Sequence, residues 1–203
     1  MSRKLVLLTS ILILSVSTSA VSQGPKFELT PYAGVYVPLT NVFQLVLLPI
    51  QGTHQAAVSF GGRATFWFGG PFGLEGSFNY APSDITGGIL NETVTGEAYV
   101  WAASGRFMIR VGRLTSPVAL LLGGGIGYIG RGGEAYTDFE NNGAVGYSGT
   151  VALRFKITDN VAIRLDLEDY IYMSKFLFQD VETEGQLQFD LILAAGVSIG
   201  FGG

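Results

Sequence analysis

The sequence predicts an all-β protein, an eight-stranded antiparallel up-and-down transmembrane β-barrel that follows a cleaved signal peptide. Three observations indicate this fold. Apolar residues alternate with polar or small ones in eight runs, most of them about ten residues or longer. The connections between the runs are alternately long and short. Charged residues make up only 14% of the chain, whereas soluble domains carry about 25%.

A secretory signal peptide is expected at residues 1–20. Arg3 and Lys4 supply its basic start, and Leu5–Val16 is an apolar segment too short to span a membrane as a helix. Thr18–Ala20 consists of small residues of the kind found before a signal-peptidase cleavage site. These features predict export across the inner membrane.

The mature chain is expected to begin after Ala20, with cleavage after Ser22 as the alternative. Residues 21–25 then form a short N-terminal segment, and the barrel extends over residues 26–203. Removal of the signal peptide takes the formal net charge from −4 to −6, because two basic residues leave with it. An acidic exported protein is a poor candidate for binding nucleic acid. The sequence has no cysteine, which excludes disulfide and thiolate chemistry.

The eight predicted strands are defined by the apolar face that each one presents. The alternation is least regular in the fourth run and clearest in the last three. Taken at every second residue, the apolar faces in chain order are Phe27–Val37, Val58–Phe68, Leu74–Tyr80, Trp101–Ile109, Leu120–Tyr128, Tyr147–Phe155, Val161–Leu167 and Leu187–Phe201.

The fifth strand contains the stretch LLLGGGIGYIGRGG at Leu120–Gly133, in which Gly125–Gly130 spells G-x-G-x-x-G. A dinucleotide-binding loop with this spacing follows a strand and opens a helix. Here the polar segment that follows has no helical period and leads into another alternating strand. We therefore interpret the glycines as part of strand five. Gly123, Gly125 and Gly127 are expected to leave space for arginine and tyrosine side chains in the lumen.

Long connections follow the odd-numbered strands, and short turns follow the even-numbered ones. The long connections are Pro38–His54, Pro82–Glu92, Gly132–Gly143 and Met173–Glu184. The short ones are Gly69–Pro71, Gly112–Ser116 and Thr158–Asn160. This pattern is typical of outer-membrane barrels, whose extracellular loops are long and whose periplasmic turns are short. An even number of strands places both termini on the periplasmic side.

A soluble barrel such as a lipocalin is the alternative, because its strands also alternate. Two features favour a membrane barrel over a soluble one. Charges of both signs lie in mid-strand on the face opposite the apolar one, where a membrane barrel has its lumen. Aromatic residues also gather near the strand ends, as interfacial girdles require. They include Phe66–Phe68, Tyr80, Tyr128, Phe155 and Phe201.

Ten charged residues, five acidic and five basic, fall on the predicted lumen face. They are Glu28, Arg63, Glu75, Arg106, Arg154, Lys156, Arg164, Asp166, Glu168 and Asp190. An eight-stranded barrel is only wide enough for side chains to fill it, and a buried charge without a partner is very costly. We therefore expect a dense network of ion pairs that fills the lumen, with a narrow ion path as the alternative.

Three segments are similar to segments of a known family. FELTPYAGVYVP is similar to the family's first strand, VAIRLDLEDYIY to its seventh, and AAGVSIGF to its C-terminal assembly signal, with Gly196, Ile199 and Phe201 at the expected spacing. On these segments the chain resembles the small eight-stranded bacterial outer-membrane β-barrel proteins, the OmpA/OmpX-like group. The resemblance implies a monomer in the lipid bilayer of the outer membrane, inserted by the barrel-assembly machinery. It implies an architecture and not an activity.

The sequence gives little support for a set of catalytic residues. Outer-membrane lipid A acyltransferases and deacylases resemble this fold and use a histidine with a serine and usually a carboxylate. The one histidine of the sequence, His54, stands where the first loop meets the second strand, and strand parity places Ser59 on the opposite face. We expect His54 to be an exposed loop-end residue. We expect no enzymatic activity, no cofactor and, with one histidine and no cysteine, no metal site.

The first and last long loops contain apolar residues where polar ones are expected. Phe43, Leu45 and Leu47 lie in the first loop, and Phe176 and Phe178 lie in the last. In a closed barrel strand eight pairs with strand one, so these loops are neighbours. One interpretation is a joint apolar patch on the cell surface that binds an unknown partner. The other is that the first loop covers the lumen as a lid and the last merely extends strand seven.

The sequence therefore favours a structural, envelope or surface-interaction role, such as adhesion or partner binding. In this interpretation the lumen is filled and is not an open pore. A small pore is the first alternative, and a lipid A-modifying enzyme is the second.

Overall fold

The computed structural model describes residues 26–40, 43–45, 50–89, 92–113, 115–137, 139–140, 142–174, 177–178, 181–182 and 185–202. These residues form fifteen strands and one short 3-10 helix, Glu134–Tyr136. The strands are β1 (Lys26–Pro38), β2 (Phe43–Leu45), β3 (Ile50–His54), β4 (Ala57–Trp67), β5 (Phe72–Ala81), β6 (Ile85–Ile89), β7 (Glu92–Gly96), β8 (Tyr99–Val111), β9 (Val118–Gly132), β10 (Phe139–Glu140), β11 (Gly143–Lys156), β12 (Val161–Ser174), β13 (Leu177–Phe178), β14 (Val181–Glu182) and β15 (Gln186–Phe201). Within the described part of the chain, no helix is long and apolar enough to cross a membrane.

Eight long strands close into an antiparallel barrel. Their order around the barrel is β1, β15, β12, β11, β9, β8, β5 and β4. β1 completes the circle by pairing with β4 on one side and with β15 on the other, so that Phe27 lies opposite both Phe66 and Phe201. The predicted all-β fold is confirmed, including the number of barrel strands and the pairing of the last with the first.

The two faces of the barrel wall differ in polarity along every strand. Apolar side chains point outward, and Val58, Ile126 and Tyr147 are 67%, 66% and 74% exposed. Polar side chains such as Thr65 and Asn79 point inward and are buried. A soluble barrel has its apolar face inside. The observed arrangement is the reverse, and it suits an outer wall that contacts lipid.

Tight turns join the barrel strands at the end where β1 begins and β15 ends. Gly69 lies in the turn between β4 and β5 with a φ of 83°, and Gly112 follows β8 with a φ of 111°. Both values fall in the region that only glycine adopts without strain. The turn between β11 and β12 is closed by the Thr158 hydroxyl, whose Oγ1 accepts the backbone N–H of Val161 at 3.0 Å.

At the opposite end, the described parts of the long connections form two small sheets. β2, β3, β6 and β7 make a four-stranded sheet, and β10, β13 and β14 make a three-stranded one. β3 and β6 continue the pairing of β4 and β5 beyond the barrel, with His54 opposite Ile85. β10 and β13 continue the pairing of β11 and β12, with Phe139 opposite Phe178.

This pairing differs from the expected contact between the first and last long loops. In the described residues the first long loop pairs with the second and the third with the fourth. The physical reason is that each tightly turned hairpin extends its own hydrogen-bond ladder outward. Phe43 and Leu45 therefore lie in one sheet and Phe178 in the other, while Leu47 and Phe176 lie outside the described residues.

Candidate functional site

Three arginines and three carboxylates meet in the middle of the lumen. Their side chains are at most 1% exposed. We call them the central ring, which consists of Arg63, Asp166, Arg164, Glu75, Arg106 and Glu168. Positive and negative groups alternate around it, and its formal charge is zero. This balance matters because an unpaired charge in such a place is strongly destabilising.

Arg164 connects opposite walls of the barrel. It lies on β12, and its Nη1 is 2.5 Å from Oε2 of Glu75 on β5. Four positions around the barrel separate β12 from β5, which places them across the full diameter. Arg164 also donates from Nε to Oδ1 of Asp166 at 2.9 Å. One guanidinium therefore neutralises two carboxylates and spans the lumen.

Glu168 holds the other half of the central ring. Its carboxylate accepts Nη2 of Arg63 at 2.9 Å and lies 2.8 Å from Nη1 of Arg106. It also accepts the hydroxyls of Tyr170 at 2.5 Å and Ser77 at 3.2 Å. Four donors from four strands thus surround one carboxylate.

Two further contacts complete the central ring. Arg63 Nη1 lies 3.4 Å from Oδ2 of Asp166, and Arg106 Nη2 lies 3.2 Å from Oε1 of Glu75. The Arg63 guanidinium also stacks over the Tyr32 ring at 3.8 Å. Every charged group of the ring consequently contacts two groups of opposite sign.

A second cluster lies toward the periplasmic end of the lumen. Glu28 is 3.0 Å from Nη2 of Arg154 and 3.8 Å from Nη2 of Arg110. Arg110 also lies over the Trp67 ring, 4.4 Å from its centre. Arg110 was not among the ten predicted lumen charges, although it has the same strand parity as Arg106.

Lys156 is not part of the lumen network, in contrast to the sequence-based expectation. Its side chain is 32% exposed, and its Nζ lies 2.5 Å from Oδ1 of Asp159 in the adjoining turn. This hydrogen bond lowers the pKa of the fully exposed Asp159 carboxyl. Strand parity assigned Lys156 to the correct face, but it lies at the end of β11, where the turn supplies a nearer partner.

A third cluster lies at the extracellular mouth. Asp190 accepts the Tyr172 hydroxyl at 2.5 Å, and its Oδ2 lies 4.0 Å from Nη2 of Arg131. Arg131 also donates to the Tyr172 hydroxyl. Sequence reasoning missed Arg131. Strand parity could have identified it, because Arg131 lies on the same face of strand five as Gly127, which was assigned to the lumen.

His54 is buried, so its predicted exposure is wrong. It is 2% exposed, and its Nδ1 lies 2.8 Å from the Ser83 carbonyl oxygen, an acceptor. Nδ1 therefore carries the proton, and Nε2 accepts the Tyr136 hydroxyl at 2.7 Å. Burial, reinforced by the charge of Arg131, lowers the pKa of His54 to about 3.

This geometry argues against His54 as a general base. Both ring nitrogens are engaged, and the Ser83 hydroxyl, 3.2 Å from Nδ1, donates instead to the Gln55 carbonyl at 2.5 Å. Ser59 belongs to β4 and is buried in the lumen. Gln55 and Ala56 lie outside any strand and separate β3 from β4, so strand parity cannot be carried from His54 to Ser59.

The burial of His54 predicts that the four-stranded sheet of β2, β3, β6 and β7 loses stability in acid. We call this sheet the loop sheet. The pKa of His54 in the folded state lies below its ordinary value of 6.5. The opened sheet therefore binds a proton that the folded sheet excludes. The contribution to stability is complete above about pH 6.5 and decreases as the pH falls toward 3. Between pH 7 and pH 5 the loss is expected to be about 2 kcal/mol.

Hydrogen exchange of the β3 and β6 amides, corrected for intrinsic rates, measures this loss. His54→Gln is the control, because its amide can donate and accept but does not titrate in this range. The variant is expected to show a flat pH profile. An equal pH dependence in both proteins would assign the effect to another group.

The family of the chain follows from its sequence as a whole. Residues 6–201 match the model of the outer membrane protein beta-barrel domain. The chain belongs to this family. It is a bacterial outer-membrane protein, and the closed barrel with an apolar outer wall is the structure that this location requires. No curated protein matches the chain.

Solved structures share the same architecture at low sequence identity. Neisserial surface protein A is 11% identical over 88% of this chain and 100% of that one, with a TM-score of 0.55. AlkL in DMPC bilayers is 12% identical over 92% of this chain and 94% of that one, with a TM-score of 0.58. Outer membrane protein W of E. coli is 14% identical over 89% and 100%, with a TM-score of 0.47. The similarities to Neisserial surface protein A and to AlkL establish the fold of this chain and not its role.

The residues of the predicted assembly signal lie on β15 of this family member. Ile199 and Phe201 point outward and are 42% and 51% exposed, and the Phe201 ring lies 6.4 Å from that of Phe27. Gly196 points inward, where a Cβ would lie 2.9 Å from the Cβ of Tyr32. The outward pair is thus presented at the seam where the barrel closes. Recognition of this segment by the barrel-assembly machinery stays a prediction.

Proposed function

We propose that the protein is a closed outer-membrane barrel with a structural, envelope or surface-interaction role, carried by its extracellular sheets. The observation behind this proposal is the central ring. Its six charged side chains are at most 1% exposed, and each contacts partners of opposite sign. Residues that line a water-filled path remain solvated, whereas these are not.

An open pore would require this ring to separate. Moving Arg164 away from Glu75 and Asp166 would leave two carboxylates without their cation in a narrow lumen. The cost of such a step is several kcal/mol. The energetics therefore support a filled lumen over a narrow ion path.

The extracellular sheets are then the part of the protein that can meet a partner. Phe43 and Leu45 on β2, together with Leu47, place apolar residues in the first long loop. Phe176 and Phe178 place further apolar residues in the last long loop, where β13 belongs to the other sheet. Contiguous apolar surface outside the membrane usually marks an interaction site. We infer adhesion or partner binding through the apolar residues of the first long loop, Phe43, Leu45 and Leu47.

An adherence assay tests this role. Cells that display Phe43→Ser/Leu45→Ser/Leu47→Ser are expected to bind less to hexadecane droplets and to polystyrene than cells that display the wild-type protein. Gln44→Ser is the matched control, because it changes the same strand without removing an apolar side chain. Heat-modifiable gel migration verifies that each variant is folded. Equal adherence of all three proteins would reject this role of the first long loop.

A non-enzymatic role also fits the arrangement at the barrel mouth. His54 donates to a backbone carbonyl and accepts from Tyr136, and Ser83 is fully buried. A lipid substrate could not reach this serine without opening the loop sheet. We further infer a monomer that the barrel-assembly machinery inserts and that the outer-membrane bilayer surrounds.

A further inference from the structure

The lumen charges balance in the middle of the barrel but not at its periplasmic end. There three cations share one carboxylate, so the formal charge is +2, whereas the central ring is neutral. We call this group the periplasmic cluster, which consists of Lys26, Glu28, Arg110 and Arg154. Glu28 lies 3.0 Å from Arg154 and 3.8 Å from Arg110, and Lys26 interacts electrostatically with all three. A buried cation without a carboxylate of its own is costly.

Hydrogen-bond donors around this cluster outnumber the acceptors. The Arg110 side chain lies over the Trp67 ring and donates no hydrogen bond among the described residues. Its Nε and Nη2, Nε of Arg154 and Nε1 of Trp67 are shielded from solvent and unpaired. All of the shielded, unpaired atoms of these residues are donors. Such groups are uncommon in folded proteins, and with the excess positive charge they point to an anion with several acceptor oxygens.

The two guanidinium groups can be reached from the periplasm. Nη1 of Arg110 and Nη1 of Arg154 make no hydrogen bond among the described residues, and neither is shielded from solvent. The two side chains are 10% and 8% exposed. Because the central ring closes the lumen on one side, this exposure faces the periplasm. An anion can therefore contact these outer nitrogens, and the shielded nitrogens need not be uncovered.

Lys26 provides a movable third cation at the entrance. Its side chain lies across the inward-pointing Gly200, and its Nζ donates to the backbone carbonyl oxygen of Asp159 at 2.7 Å. The Asp159 carboxylate is paired with Lys156, so these two residues together add no net charge. A flexible ammonium group bound to one exposed carbonyl can turn toward an anion at little cost.

We propose that the periplasmic cluster binds a phosphate group that reaches the lumen from the periplasmic side. Arg110 and Arg154 supply planar, fork-shaped donors that match pairs of phosphate oxygens, and Lys26 adds charge. A phosphate monoester carries a charge of about −1.5 to −2 and three strong acceptor oxygens, which suits two excess positive charges better than a single carboxylate does. Inorganic phosphate and the headgroup of an inner-leaflet phospholipid present the same oxygens.

Isothermal titration calorimetry of inorganic phosphate into the full-length, folded protein tests the site. The protein is held in phosphatidylcholine nanodiscs at constant ionic strength. Arg110→Gln is expected to weaken phosphate binding about tenfold, the effect of losing one hydrogen bond from a charged group. Glu28→Gln removes the competing carboxylate and is expected to strengthen binding about threefold. A variant that merely misfolds cannot bind phosphate more tightly.

Arg113→Gln is the matched control, because Arg113 is exposed in the turn that follows β8. It removes the same charge from the same end, and its affinity is expected to stay within about twofold of wild type, since solvent screens an exposed charge. Heat-modifiable gel migration verifies that each variant is folded.

A second titration in phosphatidylglycerol nanodiscs distinguishes the two sources of phosphate. Unchanged affinity would assign the site to free phosphate. Competition by this lipid that disappears in Arg110→Gln would assign it to a headgroup. The proposal is overturned if the wild type binds no phosphate in phosphatidylcholine nanodiscs, if Arg110→Gln and Arg113→Gln weaken binding equally, or if Glu28→Gln fails to strengthen it.

Discussion

Arg164→Leu is expected to reduce the free energy of unfolding by about 3–5 kcal/mol, the cost of leaving a buried charge without its partner. Arg164 contacts Glu75 on the opposite wall and Asp166 on its own strand. Both carboxylates are fully buried and would lose their shared cation. Folding into liposomes at increasing urea concentrations, followed by heat-modifiable gel migration, measures the change.

A second variant separates charge imbalance from lost packing. Arg164→Leu/Glu75→Gln leaves two arginines and two carboxylates in the central ring, so it is expected to be more stable than Arg164→Leu alone. Lys156→Leu is the outer control, because solvent screens its exposed pair with Asp159 and the substitution is expected to change stability little. Equal stability of wild type and Arg164→Leu would show that the ring does not hold the barrel together.

Gly125→Leu is expected to abolish assembly of the barrel. A Cβ at this position would collide with the Gly105 carbonyl oxygen of the neighbouring strand and lie 2.8 Å from the Arg106 Cα. Backbone atoms cannot move aside as a flexible side chain can. The close approach of β8 and β9 therefore requires glycine here, and no heat-modifiable species is expected in membranes.

Gly62→Leu is the matched control for this substitution. Gly62 points outward on β4, and a Cβ there would meet nothing within 4 Å. The control is expected to assemble normally, since leucine suits a lipid-facing wall. Normal assembly of Gly125→Leu would contradict the close packing of β8 against β9.

The strands and their faces could be predicted because two different surroundings act on every strand. Lipid selects apolar residues on one side, and the narrow lumen selects polar or charged ones on the other. Parity alone thus assigned Arg63 and Glu168 to the inside, where they pair. It also identified Gly127 as a space for a tyrosine, since a Cβ there would lie 2.7 Å from the Tyr170 ring.

The level of a residue along the barrel axis and the course of the chain beyond the barrel strands could not be predicted in the same way. Parity assigns a face but not a level, so it grouped Lys156 with the lumen although the turn residue Asp159 is its nearest partner. The exposure of His54 was expected from its place at a loop end, whereas Ser83 and Tyr136 from two other connections hydrogen-bond to it and bury it. The pairing of the loops depends on hydrogen-bond ladders that extend from the barrel hairpins, and local sequence does not encode those partners.

Ion conductance through the purified, folded protein in planar bilayers tests the central claim most directly. The wild-type barrel is expected to give no steady current above that of a protein-free membrane, because the central ring closes its lumen. Arg63→Ser/Glu168→Ser removes one charge of each sign and is expected to produce reproducible current steps. Steady steps from the wild type, with an ion selectivity that changes on substitution of Arg63 or Glu168, would contradict a closed lumen.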